Sequence, residues 1–452
     1  MKQWTAQRVA AAAGARLIAA PVTTGGPQRV SIDSREAGPG VLFVGLPGSR
    51  HDGGTFAPQA LAAGAWGTLT TRDHAEPAAP TADGAVLAAA DPLTALQRLA
   101  TAWRRNLDAQ VIGVTGSTGK TSTKDLLRAL LAPHRRTVAS RANFNTEIGL
   151  PLELLAAPAD TEVLVLEMGM RGAGQINELA EIAEPDVAVI VSVGPVHLEL
   201  MGTVEAVAAA KAELIGALPP GATAVVPEGE RLLEPWLRDD VSTVTFGEHG
   251  DVRFAEQGDE HVVIDAAGAR IELEVPFRQA HLRSNLLAAV AAAQAVGVTP
   301  SGRVELRLSA GRGETVALPG GVTVIDGCYN ANPMSMRAAL SDLAATAERS
   351  AASRRVAVLG DMLELGPEAR SYHAQLGELA NDAGVDVLVT VGPLAAAITE
   401  RFAGQATSFA DAEEAAAAVP ELLEPGDLVL VKGSLGVGLK RVCDALGVGI
   451  PA

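Results

Sequence analysis

The sequence has 452 residues, enough for roughly three domains at about 150 residues each. With 48% hydrophobic and 20% charged residues its composition is that of a globular protein, which excludes a disordered chain. A net charge of −17, from 36 Lys+Arg against 53 Asp+Glu, argues against general polyanion binding and so against nucleic acid as a partner.

The opening stretch MKQWTAQRVAAAAGARLIAAP combines a basic residue with many alanines. Arg8 and Arg16 interrupt its apolar run, and Trp4, Val9 and Leu17 fit an amphipathic helix better than a secretory signal. No later apolar run reaches the ~18 residues expected of a membrane span. The expectation is a cytoplasmic protein, and the acidic charge without an apolar stripe favours a soluble monomer. Two cysteines, Cys328 and Cys443, form no disulfide framework or metal signature and suit a reducing compartment.

Residues 1–106 alternate short strands and turns: RVSIDSREAGPGVLFVGLPG, the helix-like FAPQALAAGA and the strand WGTLTT. The Pro/Ala-rich HAEPAAPTADGA reads as a surface loop, and the whole as a small α/β domain. Over 107–309 apolar strands alternate with helical segments: VIGV, VLVLEMGM at 163–170 and DVAVIVSVG at 186–194 predict buried parallel strands. Alternating patterns such as HVVIDAAGARIELEVP predict a small antiparallel insertion at about 222–280, closed by an alanine-rich helix over 282–296. From 310 to 452 the strand–helix rhythm resumes with VTVID, RRVAVLGD, DVLVTVG and DLVLVKGS. This third domain is Rossmann-like but lacks the GxGxxG of a dinucleotide site. The fold class expected is therefore α/β with three domains, the central one of phosphate-loop type.

The phosphate loop is Thr115-Gly116-Ser117-Thr118-Gly119-Lys120-Thr121-Ser122, between the strand VIGV and the helical TKDLLRALLA. Glycines admit backbone N–H groups to phosphate oxygens, Lys120 offers a point charge and Thr121 a hydroxyl for magnesium. The strict GxxxxGK[ST] spacing would need glycine where Val114 stands, so a glycine-rich turn with a solvent lysine is the competing reading. Glu167 and His197 follow two further strands, where an α/β sheet places its ligands, and suit a divalent cation beside a triphosphate. A charge paired in the crevice and an ordinary loop histidine are their bland alternatives.

Taken together, TGSTGKTS, NFNTEIGLPLELL, LEMGMRGAGQI, SVGPVHLELMGTVEAVAAAKAELI, DGCYNANPMSMRAAL, VLGDMLELG and VKGS resemble, in order, the motifs of the Mur ligases. YNANP and GDMLELG point to the branch that adds D-alanyl-D-alanine to UDP-N-acetylmuramoyl-tripeptide, and the DNPR signature of the diaminopimelate-adding branch is absent. The resemblance implies ATP-dependent ligation through an acyl phosphate, with ATP and Mg2+ required, the UDP-linked peptide on domain one, and domain three binding the dipeptide and closing over ATP. Transfer of a phosphoryl group to a carboxylate is mainly a matter of alignment and charge neutralisation, and needs no nucleophilic side chain.

By the same resemblance Lys120, Glu167, His197 and Lys211 are catalytic. Thr121, Glu167, His197 and a carbamylated Lys211 hold the metal. On the residues alone Lys211 reads equally as a snorkelling surface lysine. Asn285, Arg312 and Asp326 are expected to bind ATP, with Leu282 replacing a common asparagine. Substrate contacts fall to Ser34, Arg35, His51, Asp52, Gly53, Asn143, Asn145, Tyr329, Asn330 and Asn332, although YNANP also reads as a turn capping a helix from near Met334. Arg35 equally suits a surface ion pair. Leu435 replaces an arginine common after KGS, which leaves Lys432 and Ser434 as candidates for the dipeptide carboxylate; Asp361 and Glu364 either shape the site or serve the fold. Two other functions fit parts of the sequence: a glutamate-adding or other amide ligase of the superfamily, and a nucleotide-gated regulatory ATPase. The uridine-site motifs oppose the first; Glu167, His197 and Lys211 around one triphosphate would be superfluous in the second.

Overall fold

The computed structural model describes every residue except 22–24, 142, 310, 351 and 449–452. Its strands form three sheets, one per stretch of chain, in the three-domain α/β arrangement. The first has five strands in the order Arg16–Ala19, Ala85–Ala89, Gly67–Thr71, Val41–Val44, Arg29–Ser31, parallel except for the antiparallel first strand. The opening helix is short, Ala6–Ala13, because Gly14 turns left-handed (φ 62°) and ends it; Leu17 lies in the first strand instead. HAEPAAPTADGA is largely not a loop: a helix runs Arg72–Ala78, with Ala75 and Ala78 buried, and a 3-10 turn follows over Ala79–Thr81. Pro77 is its penultimate residue, and the missing N–H costs this short helix the one ladder bond that would reach the Asp73 carbonyl.

The central sheet has ten strands. From one edge they run Thr137–Ala139, Val163–Glu167, Gln110–Thr115, Val187–Ile190, Thr223–Pro227, Ser242–Phe246, Val252–Gln257, His261–Ala266, Ala269–Glu274 and Gly302–Arg303. Antiparallel pairing is confined to the three strands across 252–274, whereas the strands over 223–246 pair parallel with the central set. The alternating stretch is thus a continuation of the sheet and not a separate layer. The alanine-rich helix, Ala280–Ala295, is buried on nearly all sides against Lys120–Leu131 and the sheet, since small side chains allow close approach.

The third sheet has the order Glu314–Ala317, Thr323–Gly327, Asp427–Lys432, Arg354–Gly360, Val387–Val391, Gln405–Phe409, parallel except at its first strand. Its expected starting point, residue 310, lies outside the described residues. In the central sheet Gln110–Thr115 lies between Val163–Glu167 and Val187–Ile190, so after it the chain adds a strand on one side and then crosses to add the next on the other. That reversal opens a crevice at the strand ends, the usual ligand position in such sheets.

Candidate active site

The crevice begins at the glycine loop. Gly119 is left-handed (φ 79°), and a Cβ there would lie 2.7 Å from Asn285 Oδ1 and 2.8 Å from Val191 Cγ1, so only glycine fits. The loop is pinned from behind by the segment after Val187–Ile190. Ser117 N donates to Ser192 O at 2.9 Å, Thr118 N donates to Ser192 Oγ at 2.9 Å, and Gly194 N donates to Ser117 Oγ at 2.9 Å. Lys120 folds over the loop and donates to Gly116 O at 2.9 Å. Burial, opposed by Glu167 and aided by Arg312, lowers its pKa.

Behind the lysine, Glu167 is 2% exposed and accepts from Thr121 Oγ1 at 2.7 Å and Asn145 Nδ2 at 2.8 Å. Both donors are neutral, and the charged side chain that this buried carboxylate acts on is Lys120. Asn143 lines the same wall. His197 begins a short helix in a left-handed conformation (φ 53°), and its Nδ1 pairs with Glu364 from the third domain. Desolvation lowers the His197 pKa, against the pull of Glu364. Lys211 is 2% exposed in the helix Val204–Gly216, and its neighbours one turn away, Val207, Ala208, Leu214 and Ile215, are buried too. Snorkelling needs an exposure it lacks. Burial first, then the nearby charge of Lys120, hold its amine well below the ordinary lysine range.

The third domain covers this corner. Asn332 Nδ2 donates to Ser117 O at 3.3 Å, and Met334 packs on Gly194 so closely that a Cβ there would lie 2.1 Å from its sulfur. Asn332 Oδ1 also accepts Ser335 N at 2.9 Å, at the start of the helix Pro333–Ser350, so the turn caps a helix and touches the loop at once. Arg312 stacks on the Tyr329 ring at 4.1 Å. Lys432 Nζ donates to Asn330 O at 2.8 Å, and burial brings its pKa down to about 8. Together these groups line a cleft of about 1250 Å³, which Asn285, His281 and Asp342 also line. Asn285 is 5% exposed and its Nδ2 has no partner, so a donor waits there for an acceptor on a ligand.

Some expected residues stand elsewhere. Asp326 does not line the cleft, although its strand neighbours Ile325 and Gly327 do. Strand alternation turns it to the other face, where it accepts Cys328 N at 3.0 Å beside Cys443. The two cysteines, 115 residues apart, meet there at 4.0 Å, an approach that their spacing gave no sign of. Asp361 accepts Ala395 N at 2.7 Å and serves the fold, and Leu435 is exposed at the cleft mouth. Ser34, Arg35, His51, Asp52 and Gly53 lie on the first domain, apart from the cleft lining. Arg35 Nε donates to both oxygens of Asp33 (2.9 and 3.0 Å), and that pairing holds the Asp33 carboxyl down at about 2. Asp52 accepts Gly54 N at 2.9 Å and lies 2.9 Å from His74 Nε2. Sequence reasoning missed Arg171, Ser192 and Asp342 and left Glu364 undecided. Only its place in GDMLELG singled Glu364 out, because its partner is 167 residues away.

Comparison with known proteins covers all three domains. Residues 28–104 match the family described as "Mur ligase family, catalytic domain", 114–293 "Mur ligase middle domain" and 311–435 "Mur ligase, glutamate ligase domain". A UDP-N-acetylmuramoyl-tripeptide--D-alanyl-D-alanine ligase of Bacillus subtilis (strain 168) is 35% identical over 424 residues, 91% of this chain and 92% of that protein. Among solved structures, MurF from Acinetobacter baumannii superposes with a TM-score of 0.86 at 29% identity over 99% of both chains. MurF ligase from Thermotoga maritima in complex with ADP gives 0.80 at 29% identity, over 92% of this chain and 96% of that one.

Proposed function

The chain belongs to the Mur ligase family, and on that premise we propose that it joins D-alanyl-D-alanine to UDP-N-acetylmuramoyl-tripeptide with ATP, completing the pentapeptide precursor of peptidoglycan. The observation that carries this reading is a likeness running through all three domains at 35% identity, in the order of the family's own parts. The chain is an ATP-dependent ligase.

In the mechanism proposed, the glycine loop holds the ATP phosphates on its N–H groups, and Lys120 leaves Gly116 O to meet the transferring phosphoryl group. Asn285 Nδ2 receives an acceptor of the adenine, and Arg312 on Tyr329 covers the nucleotide from the third domain. The terminal carboxylate of the tripeptide lies against Asn143 and Asn145 and takes the phosphoryl group. The dipeptide amine then attacks the acyl carbon, and phosphate leaves as the amide forms. In this reading Lys432 and Ser434 receive the dipeptide carboxylate, and the turns at Ser34–Arg35 and His51–Gly53 receive the uridine nucleotide.

The donors at the corner suit Mg2+: a hydroxyl on Thr121, a buried carboxylate on Glu167 whose hydrogen-bond donors are both neutral, and an uncommitted Nε2 on His197. Once bound, such an ion neutralises charge on the phosphoryl and acceptor oxygens. Lys211, buried and with its amine inclined to neutrality, is suited to form a carbamate with carbon dioxide, turning a cation into an oxygen ligand. No helix among the described residues is long and apolar enough to cross a membrane; we place the reaction in the cytoplasm, where both substrates are soluble, and take the monomer as the working unit.

The test is phosphate release with ATP and Mg2+, with the UDP-linked tripeptide and D-Ala-D-Ala each present or withheld, while the nucleotide peptide is followed by mass. Release accompanied by a mass gain of one dipeptide, only when both are present, supports the reading. ATP hydrolysis independent of either substrate would overturn it.

A further inference from the structure

We propose that Glu364 is a positioning residue of the metal corner, supplied across the domain boundary: its carboxylate fixes the His197 ring so that Nε2 is the nitrogen free to hold the cation. The inference rests on the reading of His197 as a metal ligand given above.

Glu364 is held by the central domain at three points. Its Oε2 meets His197 Nδ1, its Oε1 lies 3.5 Å from Arg171 Nη2, and its backbone carbonyl accepts Glu199 N at 3.1 Å. Both partners of the central contact are left-handed, His197 at φ 53° and Glu364 at φ 62°. Only five non-glycine residues among those described have positive φ, so the meeting of two of them marks a contact that overrides local preference. Gly366, two residues on, is left-handed as well, and a Cβ there would lie 3.3 Å from Glu199 Cα, which lets the two backbones close up.

An imidazole offers one donor and one acceptor when neutral, and the partner of one nitrogen decides the role of the other. With a carboxylate on Nδ1, that nitrogen carries the proton, and the lone pair of Nε2 is left toward the cleft that His197 lines with Lys120 and Glu167. Because the carboxylate belongs to the third domain, cation affinity becomes linked to domain closure. A plain interdomain ion pair would give the same contact without that linkage, and the two readings differ in one measurable respect: whether the effect of Glu364 passes through His197.

The experiment measures Mn2+ affinity of the full chain with ADP, from the electron paramagnetic resonance of free Mn2+. Glu364→Ala is expected to weaken Mn2+ binding by ~10–100-fold. Glu364→Gln, whose amide oxygen still accepts from Nδ1, should weaken it less and guards against a misfolded alanine variant. In a His197→Ala background, Glu364→Ala should add under ~2-fold, since the pathway is already cut. If His197→Ala weakens Mn2+ binding but neither Glu364 variant does, the inference fails while the ligand reading stands. An undiminished effect of Glu364→Ala in the His197→Ala background reduces Glu364 to a domain contact and overturns it too. If His197→Ala leaves Mn2+ affinity unchanged, the ligand reading itself falls and takes the inference with it.

Discussion

The central crevice and the turns of the first domain both carry polar residues at strand ends, but they are held in different ways. In the crevice Thr121 answers to Glu167, His197 to Glu364 and Asn332 to Ser117, at sequence separations of 46, 167 and 215. On the first domain Arg35 answers to Asp33 and Asp52 to Gly54, each two residues away, with His74 the longer reach. Local pairs survive almost any movement of their surroundings, whereas distant ones exist only in the assembled fold. Chemistry that needs alignment belongs in the first setting, and in the function proposed the second serves to recognise a handle on the substrate.

Substitutions should separate the two settings by size of effect. Lys120→Ala removes the charge at the phosphoryl group and is expected to lower kcat by ~10²–10³-fold in steady-state phosphate release, with KM for the UDP-tripeptide little changed. Lys211→Ala should cost about 10²-fold and be partly restored by a short-chain carboxylate such as acetate; full activity without rescue would remove the carbamate. The sign of its pH dependence follows from burial: in the function proposed it is the neutral amine that takes up carbon dioxide, so activity in bicarbonate should fall as acid protonates Lys211 through its lowered pKa. Degassed buffer should reproduce the loss at fixed pH.

Gly119→Ala tests whether the loop is as constrained as its contacts imply. A left-handed alanine costs about 1–2 kcal/mol, and its methyl meets Asn285, so ADP affinity by titration calorimetry should fall roughly 10-fold. Arg35→Ala sharpens the comparison from the other side. Arg35 is 86% exposed, so KM for the UDP-linked substrate should rise only a few-fold, roughly 2–5, with kcat unchanged. A large fall in kcat there would erase the distinction drawn between the regions.

Much of this was legible in the sequence, for identifiable reasons. Buried parallel strands announce themselves as Val-rich runs, and the glycine loop and its helix follow from local chemistry, so Gln110–Thr115 and Lys120–Leu131 fell where their residues placed them. The stretch over 223–246 was harder: Thr223–Pro227 and Ser242–Phe246 are five-residue runs without alternating burial, and runs so short carry no mark of parallel or antiparallel pairing. HAEPAAPTADGA read as a loop from its prolines, yet a helix of seven residues tolerates one near its end. Asp326 shows the limit for site residues. A motif gives position along the chain, but the parity of the strand decides which face a side chain takes, and here it turned the carboxylate toward the cysteines. Lys211 was ambiguous only while its neighbours at one-turn spacing were read as small; Val207, Leu214 and Ile215 are buried along with it.

A ten-stranded sheet is long enough to be a hazard, since an open edge offers unpaired N–H and C=O groups to any passing strand. Here one edge is the three residues Thr137–Ala139 and the other the two residues Gly302–Arg303. Neither edge strand is long enough to template an added strand, but the second covers only Leu273 and Glu274 of the strand inside it, and over the uncovered residues 269–272 the exposed Arg270 and Glu272 supply charge instead. The breadth that gives the crevice its floor is thus guarded at its edges by short strands and charge rather than by closure.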